Sequence, residues 1–206
     1  MASFMLFGGH MKKLMMVALC AAGFASPALA QEEAAASNAK AGFRVEARAM
    51  YETPTVSDVG GDEDVYKLGS AVAFGGEIGF DIAVGSSVVV GPYVTFEKSS
   101  VKAVDDFGDS LSAKDNIAAG LHLGYAVGSK GQVYGKVGYS RLRIGAELSG
   151  VRATASGSGF QGAIGYEHGF GEQFYGRVEF GYGDNGRIAG INFQRRHAGV
   201  ALGVRF

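Results

Sequence analysis

The sequence predicts an all-β protein, an eight-stranded antiparallel up-and-down β-barrel. Three observations favour this fold. Polar and apolar residues alternate with a period of two from Phe43 onward, eight segments show that alternation, and short and long connections between the segments also alternate. Glycine accounts for 34 of the 206 residues but proline for only 3, so the composition is not that of a low-complexity chain.

The first 30 residues have the layout of a secretory signal peptide. Two lysines precede an apolar run over 14–25, and small residues follow it up to Ala30. Met11 is the expected start of translation, and the single cysteine lies inside this segment, so the exported chain would have no disulfide. The predicted segments are a signal peptide over 1–30, a short flexible leader over 31–41 and a barrel over 42–206.

The predicted strands follow one another with unequal connections. The short connections have the Gly/Ser chemistry of tight hairpins. An up-and-down meander with all its long loops at one end gives this pattern, and an even number of strands puts both chain ends at the short-turn end. The strands are predicted at about 43–51, 69–84, 88–97, 116–127, 132–140, 159–168, 174–183 and 197–206, with long loops at 52–68, 98–115, 141–158 and 184–196.

The two faces of these strands differ in a way that predicts a membrane barrel. One face can be chosen to carry no charged residue and many aromatic rings, whereas the other is mostly glycine and alanine with a few long charged side chains. A soluble barrel could also have one apolar face, turned inward. That many rings would overfill the interior of an eight-stranded barrel, which favours the arrangement with the rings outside, in lipid. Pro92 lies on the apolar face of the third strand and predicts a bulge or an edge-like defect there.

The charged face predicts a network inside the barrel. It holds six acidic and five basic residues, and this near balance favours ion pairs that plug the lumen. A selective pore would show one dominant sign, although a narrow conducting path between small residues stays open as an alternative. The residues of this predicted network are Arg44, Glu46, Arg48, Glu77, Asp81, Glu97, Lys136, Glu167, Arg177, Glu179 and Arg205.

Motifs for catalysis are weak. Residues 157–162 match G-x-G-x-x-G, but the run leads into a strand and not into a helix. The exported chain has three histidines and neither H-E-x-x-H nor G-x-S-x-G, and His122 is expected to be a hydrogen-bonded lumenal residue. We predict no catalytic residue, no cofactor and no metal site.

Basic residues are concentrated in the last two predicted long loops. Guanidinium groups suit phosphate, so these side chains are candidates for contacts with lipopolysaccharide, the alternative being solvated loops that pair across the rim. The candidates are Arg141, Arg143, Arg152, Arg187, Arg195 and Arg196. Overall charge is nearly balanced, which gives no support for nucleic-acid binding.

The last eight residues, 199–206, carry apolar side chains at every second position and end on an aromatic ring. With Val204 and Phe206 they resemble the signal by which outer-membrane barrels reach their assembly machinery. Residues 42–206 as a whole resemble the small OmpA-like or opacity-like outer-membrane β-barrels, often called porin-family proteins.

That resemblance implies a monomer in the outer membrane of a diderm bacterium, in contact with lipid, lipopolysaccharide and, during biogenesis, the barrel-assembly machinery. The family includes structural proteins, adhesins and small channels. We predict a non-enzymatic structural or surface-interacting role. The rivals are a narrow porin-like channel, a loop-mediated adhesin and a lipid-modifying enzyme.

Overall fold

A computed structural model describes residues 38–57, 64–188 and 190–206. The predicted signal peptide and residues 31–37 of the leader lie outside these ranges. The strands are β1 (Gly42–Ser57), β2 (Tyr66–Lys67), β3 (Ala71–Val84), β4 (Val88–Ser99), β5 (Lys102–Val104), β6 (Ser110–Val127), β7 (Gly131–Leu148), β8 (Val151–Gly169), β9 (Phe174–Ile188) and β10 (Ile191–Arg205).

Eight of these strands close into a ring, which confirms the predicted fold. Each long strand pairs antiparallel with its neighbours along the chain, and β1 pairs with β10 from Arg44 opposite Arg205 to Ser57 opposite Asn192. The two short strands attach to β1 and β6. Closure of this kind leaves no strand edge along the paired length and satisfies the backbone there. Within the described ranges, no helix is long and apolar enough to cross a membrane.

The four long loops were predicted too long, because strands extend into each of them, although residues 58–63 of the first loop lie outside the described ranges. We call the barrel end near Gly42 and Arg205 the proximal end and the opposite end the distal end.

Between β7 and β8 the connection is only Ser149 and Gly150, with φ of 48° and 80°. Positive φ at both central residues marks a type I′ hairpin, which matches the twist of its strands. Strands β7 and β8 are therefore about twice as long as predicted, and their distal parts are strand where a loop was expected.

At Pro92 the structure shows the predicted edge-like defect and no bulge. Strand β3 pairs with β4 at Gly79 opposite Tyr93 and again at Ile82 opposite Val90, in an unchanged register. The two residues between, Phe80 and Asp81, do not pair with β4, because the proline opposite them has no N–H to donate. The defect is thus a short gap in the ladder without a shift.

Aromatic side chains form two outward-facing girdles. The distal girdle contains Tyr51, Phe96, Tyr139, Phe160 and Tyr182, and the proximal girdle contains Phe43, Tyr125, Tyr166, Phe174 and Phe206. Between the girdles the outward side chains are exposed and apolar, such as Leu121, Val137 and Ile164. An apolar band flanked by aromatic girdles is the outer surface of a membrane barrel.

Candidate functional site

The inner wall of the barrel carries one connected set of ion pairs, which we call the lumenal network. It contains all eleven charged residues predicted for the lumen together with Glu52 and Arg195, so that seven carboxylates face six cations. Side chains in it are at most 3% exposed, except for Arg205 at 10%. Buried charges of this kind need partners, because an unpaired one costs several kcal/mol.

Arg48 is the distal centre of the network. Its Nε donates to Glu97 Oε1 at 3.0 Å, its Nη1 to Glu77 Oε2 at 3.0 Å and its Nη2 to Glu179 Oε1 at 2.6 Å. These three carboxylates come from β4, β3 and β9, so one guanidinium joins strands on opposite sides of the ring. Lys136 adds contacts of 2.8 Å to Glu77 and 2.5 Å to Glu179.

Arg44 and Arg177 form the proximal centre around Glu46. Arg44 Nη1 lies 2.6 Å and Arg177 Nη1 2.5 Å from Glu46 Oε1. Arg44 also pairs with Glu77, which links the two centres. Arg177 further bonds Glu167 at 2.7 Å. The lumen is therefore crossed by guanidinium groups at two levels along the barrel axis.

Two buried tyrosines add hydrogen bonds to the network. Tyr134 donates to Glu179 at 3.0 Å and Tyr175 to Glu46 at 3.1 Å. The Arg177 guanidinium also stacks on both rings, at 4.5 Å from the Tyr134 centroid and 5.2 Å from that of Tyr175. Cation–π contacts of this kind hold the guanidinium on a second side.

The glycines of the inner wall make room for these long side chains. A Cβ on Gly79 would lie 2.7 Å from Arg44 Cζ, and one on Gly203 would lie 2.3 Å from Tyr175 Cζ. The predicted division of the wall into many small and few large residues therefore has a steric basis. His122, as expected, is buried in the lumen and lies 3.0 Å from Asp81 through its Nδ1.

Glu52 and Arg195 were missed as lumenal residues, and Arg195 was wrongly predicted to contact lipopolysaccharide. Arg195 is 3% exposed, and it pairs with Glu52 and, at 2.6 Å, with Glu97. A signal was present in the sequence, because Glu52 lies two positions after Met50 and Arg195 two positions before His197, in the inward phase of each strand.

A second, apolar layer fills the barrel on the distal side of the network. We call it the distal core: Val56, Val101, Ala113, Leu142, Ile144, Ile188 and Phe193. Val101 belongs to the segment between β4 and β5 and is only 2% exposed. Its carbonyl accepts a hydrogen bond of 3.1 Å from Ala113 N–H, which fixes this segment against β6.

The polarity of both faces inverts at the distal girdle. On β7, Tyr139 is the last aromatic residue that points outward. Beyond it Arg141 and Arg143 are exposed, whereas Leu142 and Ile144 are buried at 1% and 3%. An apolar inside and a polar outside describe a water-soluble barrel. The strands therefore continue beyond the apolar band into water.

The five remaining rim arginines lie on these distal strands. Arg141 donates to Ser156 Oγ at 3.4 Å, Arg143 pairs with Asp115, and Arg152 lies 3.3 Å from Glu147. Arg187 and Arg196 are exposed on β9 and β10. These groups face outward, unlike Arg195.

One small cavity lies in the lumen, and a larger depression lies on the outer surface. A polar cavity of about 10 Å³ lies beside Arg48, Asn116 and His197, which is room for about one water molecule. A depression of about 710 Å³ lies instead on the outer surface, between Leu123 and Phe180. Among residues 38–57, 64–188 and 190–206, no group of three or more acidic, histidine or cysteine side chains is arranged to hold a metal ion.

A closed ring with an apolar outer band and a polar interior defines a membrane β-barrel of the bacterial outer-membrane type. The chain belongs to the outer membrane protein beta-barrel domain family, whose sequence model matches residues 16–206. This confirms the resemblance that the strand pattern suggested and indicates the outer membrane as the location. No curated protein sequence matches the chain.

Solved structures share the fold at low sequence identity. Neisserial surface protein A is 17% identical with a TM-score of 0.57, over 80% of this chain and 97% of that one. Ail, the attachment invasion locus protein of Yersinia pestis, solved with the heparin analogue sucrose octasulfate, is 11% identical with a TM-score of 0.51, over 79% and 99%. The outer membrane protease OmpT of Escherichia coli is 9% identical with a TM-score of 0.49, over 80% and 97%. The first two likenesses concern the fold alone.

Proposed function

We propose that the chain is a non-enzymatic outer-membrane barrel with a structural or surface-interaction role and a lumen closed to solutes. The lumenal network carries this proposal: each of its seven carboxylates lies within ion-pair distance of a cation, and the guanidinium groups cross the barrel at two levels. The distal core supports it, since its buried apolar side chains pack together on the distal side of the network. Closure therefore rests on two layers of different chemistry.

Single-channel conductance of the refolded chain in a planar bilayer tests closure, with heat-modified gel mobility showing that the barrel is folded. We expect no discrete conductance. Reproducible channels from a folded barrel would favour the rival function of a narrow pore. In that case Glu77→Lys and Arg177→Glu should shift ion selectivity in opposite directions.

A second candidate function is contact with lipopolysaccharide at the distal girdle. Arg141 is exposed on the outer surface two residues beyond Tyr139, which packs edge-on against Phe160 with ring centroids 5.5 Å apart. A guanidinium just beyond an aromatic girdle lies at the depth of headgroup phosphates. The wider set of contacts would be Arg143, Arg152, Arg187 and Arg196, with the distal end facing outward.

This contact is tested by thermal unfolding in detergent with and without purified lipopolysaccharide. We expect lipopolysaccharide to raise the midpoint for the natural chain, and the Arg141→Gln/Arg196→Gln variant to lose most of that rise. Lys130→Gln, at the proximal turn, is the matched control and should keep it. An equal rise in all three chains would contradict the assignment.

A further inference from the structure

The distal part of β8 has a free edge. Strand β8 pairs with β7 along its whole length, from Val151 to His168. It pairs with β9 only from Gln161 to Gly169. In the part of the chain that the structure describes, residues 151–156 therefore have a strand neighbour on one side only. The edge lies in the region that projects beyond the apolar band, so it faces water.

The ladder between β8 and β9 stops before either strand ends. Backbone oxygens of Asp184 and Asn185 approach Gly159 and Gly157 so closely that a Cβ there would lie 1.9 Å and 2.4 Å from them. The ladder between β9 and β10 is irregular at the same level, between Asn192 and Gln194. Strand β9 thus stays close to β8 as far as Gly157, out of the ladder register, and it ends at Ile188, so residues 151–156 of β8 continue without it.

The hydrogen-bond phase along β8 shows which groups are free. Gly169 N–H donates to Lys130 O at 2.9 Å, and the register continues unshifted to Val151 opposite Leu148. Odd-numbered residues of β8 therefore bond to β7, and the N–H and C=O groups of Arg152, Thr154 and Ser156 point to the open side.

Natural sheets usually protect such an edge with lysine, proline, a bulge or a short strand. The stretch 151–156 has no proline, and Arg152 is its only charged residue. The hairpin is also held firmly at its tip, because Ser149 N–H donates to Asp109 Oδ1 at 2.7 Å. This edge is long, ordered and exposed, which is the requirement for adding a strand from a partner.

We propose that residues 151–156 of β8 are a docking site for an extended segment of another protein, which adds to the sheet as a strand. This proposal rests on the surface-interaction role and is independent of lumen closure. The inner face of the edge is apolar, with Val151, Ala153 and Ala155 all exposed. The incoming strand therefore presents small apolar side chains inward at alternate positions.

The outer face defines the charge of the partner. Arg152 is 80% exposed and meets Glu147 only through one contact of 3.3 Å, and such an exposed pair contributes little. Lys114 and Arg143 lie on the same outer face. Acidic residues at alternate positions of the partner segment fit this surface. A second copy of this chain would bring another basic face, so like charges would oppose self-pairing.

The test uses a fluorescent eight-residue peptide of alternating valine and glutamate, added to the refolded full chain in zwitterionic nanodiscs. We expect saturable binding by anisotropy and at least tenfold slower hydrogen exchange at Arg152, Thr154 and Ser156, with the Ala153 and Ala155 amides unchanged. A peptide of the same composition in two blocks, and one N-methylated at alternate amides, should bind at least tenfold more weakly.

Thr154→Pro is the blocking variant, because it removes one free N–H without breaking the ladder to β7. It should keep the heat-modified mobility of the natural chain and lose at least tenfold in peptide affinity, whereas Thr154→Ala should bind normally. The proposal is overturned by no binding, by equal binding of the block peptide, or by equal binding of Thr154→Pro. It is also overturned if the natural chain self-associates through this edge, that is, if Thr154→Pro abolishes concentration-dependent dimers. Conductance plays no part in this readout, so failure here leaves the closed lumen unaffected.

Discussion

Replacing Arg48 by methionine removes the distal centre of the lumenal network while keeping most of the side-chain volume. Three carboxylates lose their shortest contacts with this guanidinium, at 3.0 Å, 3.0 Å and 2.6 Å. Removing one partner of a buried ion pair costs about 3–5 kcal/mol. Each carboxylate keeps another cation, because Arg195 remains beside Glu97, and Lys136 beside both Glu77 and Glu179. We therefore expect the lower end of the range, about 3 kcal/mol.

The measurement is equilibrium urea unfolding in lipid vesicles, with folded and unfolded fractions separated by gel mobility without boiling. The matched control is Arg143→Met, which removes an arginine that is 55% exposed and paired with Asp115 outside the barrel. An exposed pair contributes about 0–1 kcal/mol. If Arg48→Met lowered the free energy of unfolding no more than Arg143→Met, the lumenal network would not be a principal source of stability and this reasoning would be refuted.

Three further predictions concern the wall, the distal core and the chain end. Gly79→Ala puts a Cβ 2.7 Å from Arg44 Cζ and should lower the free energy of unfolding in urea by about 1–3 kcal/mol. The control is Gly135→Ala, whose Cβ meets nothing nearer than 3.9 Å and which should leave the free energy of unfolding nearly unchanged. Equal costs would contradict the steric argument. Leu142→Ala should lower the free energy of unfolding by about 2–5 kcal/mol. It should produce no conductance in a planar bilayer, because the lumenal network still closes the barrel. If Leu142→Ala conducted ions and the natural chain did not, the distal core and not the lumenal network would close the barrel. Phe206→Ala should reduce the amount of barrel recovered in outer-membrane fractions of cells while refolding in detergent stays normal; unchanged recovery would remove Phe206 from the assembly signal.

The inner and outer faces of the membrane-spanning part could be predicted because both follow the strand period of two. Once the outward face of a strand is chosen, the inward phase is fixed along its length. Arg44, Glu77 and Arg177 therefore fall in the lumen for the same reason that Phe80 and Phe180 fall outside it. Pairing within the lumen follows from the cost of burying charge, but the choice of partners depends on shear and side-chain length, which the period does not contain.

The ends of the strands could not be predicted in the same way. Alternation continues from Tyr139 through Ile144 on β7, but the apolar residues change from the outer face to the inner one. A strand predicted from one continuous apolar face ends where the apolar residues change face. The strand extensions beyond that point were therefore predicted as loops, and Arg195 was predicted to lie at the rim. The free edge of β8 depends on where β9 leaves the ladder, and that is a property of packing.

The inversion at the distal girdle also determines how deeply the barrel sits. Arg141 lies two residues beyond Tyr139, a rise of about 7 Å along the strand. Sinking by that distance would carry Arg141 to the present depth of Tyr139, at the edge of the hydrocarbon, from where the penalty for arginine grows toward about 2–4 kcal/mol at the midplane. Rising by the same distance would expose the apolar band to water. The protein thus has a hydrophobic thickness set by its own sequence, and in a bilayer of another thickness the surrounding lipids must stretch or compress to match it.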